Sequence, residues 1–457
     1  METKHYDLLV IGAGAAGSTA ATSAASNGVH VALIERDKIG GTCLNYGCDP
    51  TKTLLHIATM LHQARHADRY GLRIPSVSTD WKAVGEYTRE VIERIRGGTS
   101  DEASAELRKK GIEVIKGEAS FVSPHEVSVL GKTIAAERII VASGSQTLAP
   151  PIEGLKQAGF ITNVEAVALP ELPRRLAIVG GGAIGIEFAQ MYHRFGVNVT
   201  VLERSSYPLG TEDRELATQL CDLLEQEGIH IETEAELRQV QRVSAGKKLI
   251  YRCKDGPQQE LIADEILLAL GRRPTLEKLN LAAIGVKTEK KGIVVDQYLR
   301  TSVPHIWAAG DVAGGLQFTH VAYQQGKVAA QNAFATDPQP FDDSVIPWVT
   351  YTDPPLAHVG QTEEQLREQG IAYKAACMKF SEVERAITNG QTEGLVKLLV
   401  DPQGAILGGH ILGARADDLL TPIIVAMHAK LSVKQLASTI IPYPTLSEAV
   451  RWAADRV

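Results

Sequence analysis

Apolar residues recur along this chain in two alternating kinds of block. Tyr6 to Ile11 is a short, nearly continuous apolar run. An Ala-rich stretch reaches Asn27, Gly28 interrupts it, and Val29 to Ile34 is apolar again up to Glu35. Short apolar runs between glycines read as buried strands, the longer block as a helix, and Gly28 as its stop. The same order returns from Leu176 to Val179, through a stretch ending at Phe195 and Gly196, to Val197–Leu202 and Glu203. Two other buried-strand patterns, Ala136–Gly144 and Ala263–Gly271, resemble each other and each ends at a glycine. The first leads through Pro150-Pro151 into the second repeat; the second precedes Arg272-Arg273-Pro274, where the chain returns. The first domain is therefore expected to be discontinuous. From about Pro347 strand-like runs (Gly394–Val400, Ala405–Leu412) precede helical stretches, which predicts a separate α+β domain.

The glycines at the two strand–helix junctions give the repeats a chemistry. Gly12, Gly14, Gly17, Gly28 and Glu35 map onto Gly180, Gly182, Gly185, Gly196 and Glu203, each at an offset of 168. Such glycines permit a tight turn and close approach of backbone to a pyrophosphate. The helix N-terminus adds N–H groups and a positive dipole end, and the acidic residue can accept hydrogen bonds from ribose hydroxyls. The expected fold is α/β, with two Rossmann-like dinucleotide-binding domains and a C-terminal α+β domain. The boundaries fall at 1–149 with 272–345, 150–271, and 346–457.

With 457 residues, 44% of them hydrophobic and 22% charged, the chain has apolar material for more than one core. A net charge of −7 argues against a nucleic-acid-binding surface. The strand pattern begins by Tyr6, which leaves no room for a signal peptide, and no apolar run reaches the roughly 18 residues of a membrane span. A cytoplasmic protein without membrane partners is expected. There, five cysteines do not imply a structural disulfide framework, and Cys221, Cys253 and Cys377 read as packing residues.

Cys43 and Cys48 differ. They lie in the run Gly40 to Lys52, five residues past Glu35, where a thiol pair would touch a redox cofactor held by the first unit. A disulfide needs Cα atoms about 4.4–6.8 Å apart, whereas helical positions i and i+5 differ by ~7.5 Å in rise alone. If bridged, the turn between them cannot be ideal helix. Gly47 permits the distortion and Pro50 limits helix propagation back toward the pair. A nicotinamide delivers a two-electron hydride, a disulfide needs two electrons to open, and flavin can connect them. Cys48 is expected on the flavin side, Cys43 exposed for exchange, and Lys52 one helical turn past Cys48 as a cation favouring thiolate.

With these features the chain resembles a class I pyridine nucleotide–disulfide oxidoreductase, the group of dihydrolipoamide dehydrogenase, glutathione reductase and mercuric reductase. The resemblance spans essentially all residues. Gly40 to Lys52 carries it most specifically, with Ala142-Ser143-Gly144-Ser145, Gly271-Arg272-Arg273-Pro274 and Ala308-Ala309-Gly310-Asp311-Val312. It implies FAD at Gly12, Gly14, Gly17, Glu35, Gly41, Thr42, Lys52, Ser143, Gly144, Gly310 and Asp311, with Asp311 on the ribitol. It implies NADH or NADPH at Gly180, Gly182, Ile184, Gly185, Glu187, Glu203 and Gly271. Lys52 would sit by the isoalloxazine, paired with Glu187. The C-terminal domain would form a homodimer and complete the partner subunit's active site.

The disulfide reductases of this family carry His-Pro-Thr-x-x-Glu near the C-terminus. Here the segment reads Ile441-Pro442-Tyr443-Pro444-Thr445-Leu446-Ser447-Glu448, so Tyr443 replaces the acid–base histidine and Glu448 is kept. A histidine with a pKa near 6.5 can take a thiol proton at neutral pH, whereas a tyrosine near 10 is a poor base there. Pro-Tyr at this place is similar to mercuric reductases, and a soft metal ion binds thiolates without a dedicated proton shuttle. Against mercury, those enzymes end in a cysteine pair, whereas this chain ends Arg451 to Val457. The first expectation is electron transfer from NAD(P)H through flavin and Cys43–Cys48 to a thiophilic ion, Hg(II) or Cu(II), or a small electrophile. No structural metal is expected, only a transient substrate ion at the two cysteines. Dihydrolipoamide dehydrogenase or another disulfide reductase is the second reading, and a nucleotide-responsive regulatory flavoprotein or a transhydrogenase the third. Glu203 suits a free ribose diol and would repel a 2′-phosphate, which favours NADH; Arg204 and Ser205 could do the opposite.

Overall fold

A computed structural model describes residues 4–254 and 256–457. The first repeat forms a strand Lys4–Ile11, helix α1 (Ala15–Ala25) and a strand Val31–Glu35. Two helices follow, α2 (Gly41–Tyr46) and α3 (Cys48–Arg65). The second repeat gives a strand Arg175–Val179, helix α4 (Ala183–Arg194) and a strand Asn198–Leu202. Later comes helix α5 (Thr319–Asn332).

Three sheets organise the chain. The first runs in the order 112–116, 31–35, 4–11, 132–141, 126–129, 119–123, and the short strand Ile306–Ala308 also pairs with 132–141. Its central strands are parallel and its last two pairings antiparallel. The second is a parallel sheet in the order 230–232, 198–202, 175–179, 265–268. A three-stranded antiparallel sheet (235–243, 246–253, 258–263), which the sequence pattern did not announce, accompanies it. The chain crosses between these bodies on two adjacent strands: Ser145–Thr147 pairs antiparallel with Arg272–Pro274. The third sheet is antiparallel and five-stranded, in the order 347–350, 356–360, 406–412, 395–400, 374–379. Its members Leu395–Val400 and Ile406–Leu412 begin one residue inside the predicted runs.

Small residues set the layering around the first sheet. Ala13, Ala16, Ala20, Ala21 and Ala24 are all buried and let α5 lie directly on α1. A Cβ on Gly326 would stand 2.2 Å from the Ala16 carbonyl oxygen, so only glycine fits that helix crossing. In the strands, β-branched and leucine side chains fill both faces: Leu8, Leu9, Val10, Val31, Leu33 and Ile34 are essentially inaccessible, as parallel sheets covered by helices require. Cys221 packs in the core of the second unit, and Cys253 and Cys377 are half-buried. No helix is long and apolar enough to cross a membrane among the described residues.

Candidate active site: a dithiol beside a glycine cradle

Local sequence explains how the cradle forms. Gly12 turns the chain out of the first strand at φ +102°, and a Cβ there would lie 2.3 Å from the Ala142 carbonyl oxygen. Gly14 begins α1, and a Cβ on Gly17 would meet the Gly12 carbonyl oxygen at 1.8 Å. The Glu35 carboxylate accepts hydrogen bonds from the backbone N–H groups of Ala13 and Asp37, both at 2.7 Å. A groove lined by Gly12, Gly14, Glu35, Gly41, Thr42 and Ser143, with Gly144 and Ser145 beside them, runs along this edge. Its floor is backbone and its end is a helix N-terminus, which fits a dinucleotide pyrophosphate. Gly310 and Asp311 follow the strand Ile306–Ala308, at the sheet edge next to Ser145. The Gly310 N–H donates to Gln325 Oε1 at 2.8 Å, and Asp311 accepts a hydrogen bond from the Ser145 hydroxyl.

The second unit repeats this architecture. Gly180 lies at φ +110°, a Cβ on Gly185 would stand 2.0 Å from the Gly180 carbonyl oxygen, and Gly182 begins α4. Glu203 accepts the N–H groups of Gly181 and Ser205 at 2.7 and 2.6 Å. Ile184 is partly exposed at the start of α4, while Gly271 lies in the crossover at φ +97°.

The dithiol is held against the first cradle by glycine contact. A Cβ on Gly41 would come within 2.7 Å of Gly14 Cα, at a φ of +61°. The helix breaks at Gly47 (φ −130°, ψ −112°), where a Cβ would sit 3.1 Å from the Thr42 carbonyl oxygen, and α3 restarts at Cys48. Pro50 does not hold the helix back from Cys48 as its ring chemistry suggested; it occupies the first turn, where the missing N–H has no helical partner to lose. Both cysteines are thiols here, hydrogen-bonded to each other. The bond from Cys43 lowers Cys48 to about 6, helped by Thr319 and the Lys52 charge against the opposing effect of burial. The same bond, with burial, raises Cys43. The pair thus stores one proton on Cys43 and a thiolate on Cys48.

Four further groups complete the surroundings: Arg272, from the Gly271-Arg272-Arg273-Pro274 motif, and three that the sequence did not mark out. Thr319, the first residue of α5, places its hydroxyl 3.5 Å from the Cys48 sulfur. Arg272 is half-buried, donates to Ser145 Oγ at 2.7 Å and stands 3.9 Å from Asp311. Burial lowers its pKa, and the charges of Asp311 and Cys48 oppose that shift. Tyr351 receives the Lys52 ammonium over its ring at 4.5 Å from the centroid. Tyr323 lies one turn beyond Thr319 on α5, under the charges of Cys43 and Cys48. Each comes from an element more than 200 residues distant from the dithiol, so no local pattern announces its place there. Lys52 and Glu187 pair at 2.7 Å, as the resemblance implied, and join α3 to α4. Burial lowers the Lys52 pKa, but Glu187 outweighs it and the net shift is upward. Glu187, only 4% exposed, also accepts the Tyr351 N–H at 2.8 Å.

Tyr443 is not brought to this site within the chain. It is 70% exposed, donates to Glu384 and lies in the C-terminal domain. The Glu384 carboxylate raises its pKa, so the phenol is held as a donor rather than a base. Glu448 is buried and accepts the Thr445 N–H at 3.2 Å, so it orders the turn that carries Tyr443.

Residues 6–326 match the family model described as pyridine nucleotide-disulphide oxidoreductase, and residues 346–454 match the dimerisation domain of the same group. The chain belongs to the pyridine nucleotide–disulphide oxidoreductase family. It is an enzyme of that family, whose cofactor is FAD, and the cradle of the first unit fits that cofactor. It is similar to a mercuric reductase of Streptomyces lividans, 37% identical over 98% of this chain and 96% of the relative. It is equally similar to a dihydrolipoyl dehydrogenase of Thermus scotoductus, 36% identical over 99% and 97%. Among solved structures it resembles the HOCl-induced flavoprotein disulfide reductase RclA from Escherichia coli, with a TM-score of 0.88 and 32% identity over 99% of this chain and 100% of that one. A Cu(II) complex of RclA matches with a TM-score of 0.88 and 31% identity over 100% and 99%.

Proposed function

We propose that this enzyme transfers electrons from NADH through Cys43 and Cys48 to a thiophilic metal ion, with Cu(II) or Hg(II) as the acceptor. The observation that carries this reading is the split thiol pair in a chain whose C-terminal segment offers a phenol where a disulfide reductase needs an imidazole. A metal ion bonds to sulfur directly, so Tyr443 need only donate a hydrogen bond. Mercuric reductases among the relatives, and the Cu(II) complex of a structural neighbour, support the class of acceptor.

In this reading FAD belongs to the body 1–149 and 272–345, the nicotinamide nucleotide to 150–271, and the dimer interface to 346–457. Bound FAD supplies the two-electron link between nicotinamide and disulfide. Gly12, Gly14 and the start of α1 cradle its pyrophosphate, while Glu35 and Asp311 take hydroxyls of its ribose and ribitol. Lys52, fixed by Glu187, keeps a cation beside Cys48, and Thr319 donates a hydrogen bond to the thiolate. Cys43 carries the proton in the resting pair, releases it to solvent as the ion bonds to its sulfur, and exchanges with the acceptor. Glu203, at the strand end of the second unit, disfavours a 2′-phosphate and so favours NADH over NADPH. The dimerisation domain makes the working unit a homodimer, which would bring Tyr443 and Glu448 to the partner subunit's dithiol.

The test is anaerobic turnover with NADH against Cu(II), Hg(II), lipoamide and glutathione disulfide. We expect metal-ion rates to exceed both disulfide rates by at least about tenfold, because general-base catalysis worth roughly 10²–10⁴ is missing for disulfides. Lipoamide turnover at the level of a histidine-bearing relative would reject the metal-ion reading in favour of a dihydrolipoamide dehydrogenase.

A further inference from the structure

The mouth of the dithiol carries a carboxylate that the scheme above does not use. Asp49 follows Cys48 in the first turn of α3. Among the described residues its side chain makes no hydrogen bond and no ion pair; only its backbone carbonyl is engaged, by the Thr53 hydroxyl at 2.8 Å. The nearest cation on its own helix, Lys52, is already paired with Glu187 at 2.7 Å. Cys48 precedes Asp49 in the chain, Lys52 lies one turn along the same helix, and Tyr323 of α5 feels the charges of Asp49, Cys43 and Cys48 together. Tyr323 is 51% exposed, so this side of the site opens to solvent. Burial raises the Asp49 pKa and Lys52 opposes the rise.

A negative charge at this position, held by no hydrogen bond or ion pair among the described residues, acts on whatever approaches Cys43. Well inside one Debye length, which is about 10 Å at 0.1 M salt, a unit charge a few ångströms away shifts the occupancy of a divalent cation several-fold, up to roughly tenfold, and that of an anion in the opposite direction. The charge does not help the thiol ionise, since it raises the pKa of Cys43, so its use is not activation of the nucleophile. We propose that Asp49 is a specificity-determining residue that draws a cationic acceptor to Cys43 and turns anionic disulfides away. This rests on the metal-ion reading for its biological meaning, but the field of Asp49 at Cys43 can be measured without any metal.

The experiment uses the FAD-loaded enzyme reduced anaerobically with one equivalent of NADH. Alkylation of Cys43 is timed with neutral iodoacetamide and with anionic iodoacetate, in the wild type, Asp49→Asn and Asp49→Glu. We expect the rate ratio of neutral to anionic reagent to fall by about three- to tenfold in Asp49→Asn, to be restored in Asp49→Glu, and to contract with salt in the wild type. The KM for Cu(II) should rise about tenfold in Asp49→Asn, with a smaller change in kcat. An alkylation ratio that is the same in Asp49→Asn and the wild type overturns the role of Asp49, whatever the acceptor. A wild type that turns over neither Cu(II) nor Hg(II), while the ratio still responds to Asp49, overturns the metal-ion reading instead.

Discussion

In the first nucleotide unit Glu35 accepts the N–H groups of Ala13 and Asp37; in the second, Glu203 accepts those of Gly181 and Ser205, the same positions displaced by 168. The first glycine of each loop has positive φ, and the third glycine of each would drive a Cβ into that first glycine's carbonyl oxygen. The units part company after the second strand. In the first, Gly41 brings α2 against Gly14 so closely that no side chain fits, and the dithiol follows. In the second, the aligned residue is Leu209, buried, whose N–H donates to the Gly181 carbonyl oxygen at 2.9 Å. The chain then presents acids to the C-terminal domain. Glu212 accepts the Trp348 indole N–H at 2.8 Å, and Asp213 binds the buried Lys397 ammonium at 2.9 Å. Two copies of one binding device thus differ in what is attached to the exit of the second strand. One exit carries the sulfur chemistry and the other anchors a domain.

The largest effect expected from breaking this contrast is at the sulfur exit. Cys48→Ser should lose at least about 10³-fold in turnover with every acceptor that needs the thiol pair, about 4 kcal/mol of barrier. The enzyme should still consume one equivalent of NADH in the first reductive step. In the wild type, two-electron reduction should give a long-wavelength absorbance from thiolate beside the flavin, absent in Cys48→Ser. Because Cys48 is lowered to about 6, that absorbance should hold above this pH and fade as the pH falls through it. A Cys48→Ser protein that keeps the band would reassign the flavin-side sulfur.

Gly41→Val comes next. It places a branched side chain at positive φ and into Gly14, which should cost about 2–4 kcal/mol of stability and release FAD on gel filtration. Full FAD retention with an unchanged Tm would show that the close approach is not required. A smaller effect is expected in the second unit. Glu203→Gln keeps an acceptor for only one of the two loop N–H groups and removes the charge, and should narrow the NADH to NADPH ratio of kcat/KM by about tenfold, or 1.4 kcal/mol. No change in that ratio would transfer the choice to Arg204 and Ser205.

The smallest effect concerns the anchoring exit. Burial raises Glu212 to about 8, against the Trp348 hydrogen bond, so its carboxyl is neutral in the folded protein at pH 7. A raised folded pKa contributes stability that is complete below the unfolded value and is lost as pH rises through about 8. Glu212→Gln keeps an acceptor for Trp348 and no longer ionises. Its thermal unfolding should match the wild type near pH 5 and exceed it above pH 8 by about 1–2 kcal/mol. Identical pH profiles would mean that Glu212 is ionised within the folded protein.

Much of the fold could be read locally because its signals are local. Glycine at a turn, an apolar run of five or six residues and an acid at a strand end each report on their own neighbourhood, and repetition at one offset turns weak signals into a strong one. The same holds for Gly47, whose place between Cys43 and Cys48 announces the helix break. The three-stranded sheet 235–263 was missed because its strands carry many polar and charged residues among the apolar ones. Thr319, Tyr351 and Tyr323 were missed for another reason. Their neighbours in sequence are ordinary, and only the return of distant elements places them by the sulfurs.

The amino-acid sequence by itself determined two nucleotide cradles, a cysteine pair at the exit of one of them, and a tyrosine where a base would stand, because each is written in residues close together along the chain. Only the tertiary structure decided which thiol holds the proton, that Lys52 is occupied by Glu187, and that Asp49 forms no ion pair among the described residues. Those outcomes depend on burial and on charges carried by strands and helices hundreds of residues apart, and electrostatic interaction follows distance in space rather than distance along the chain.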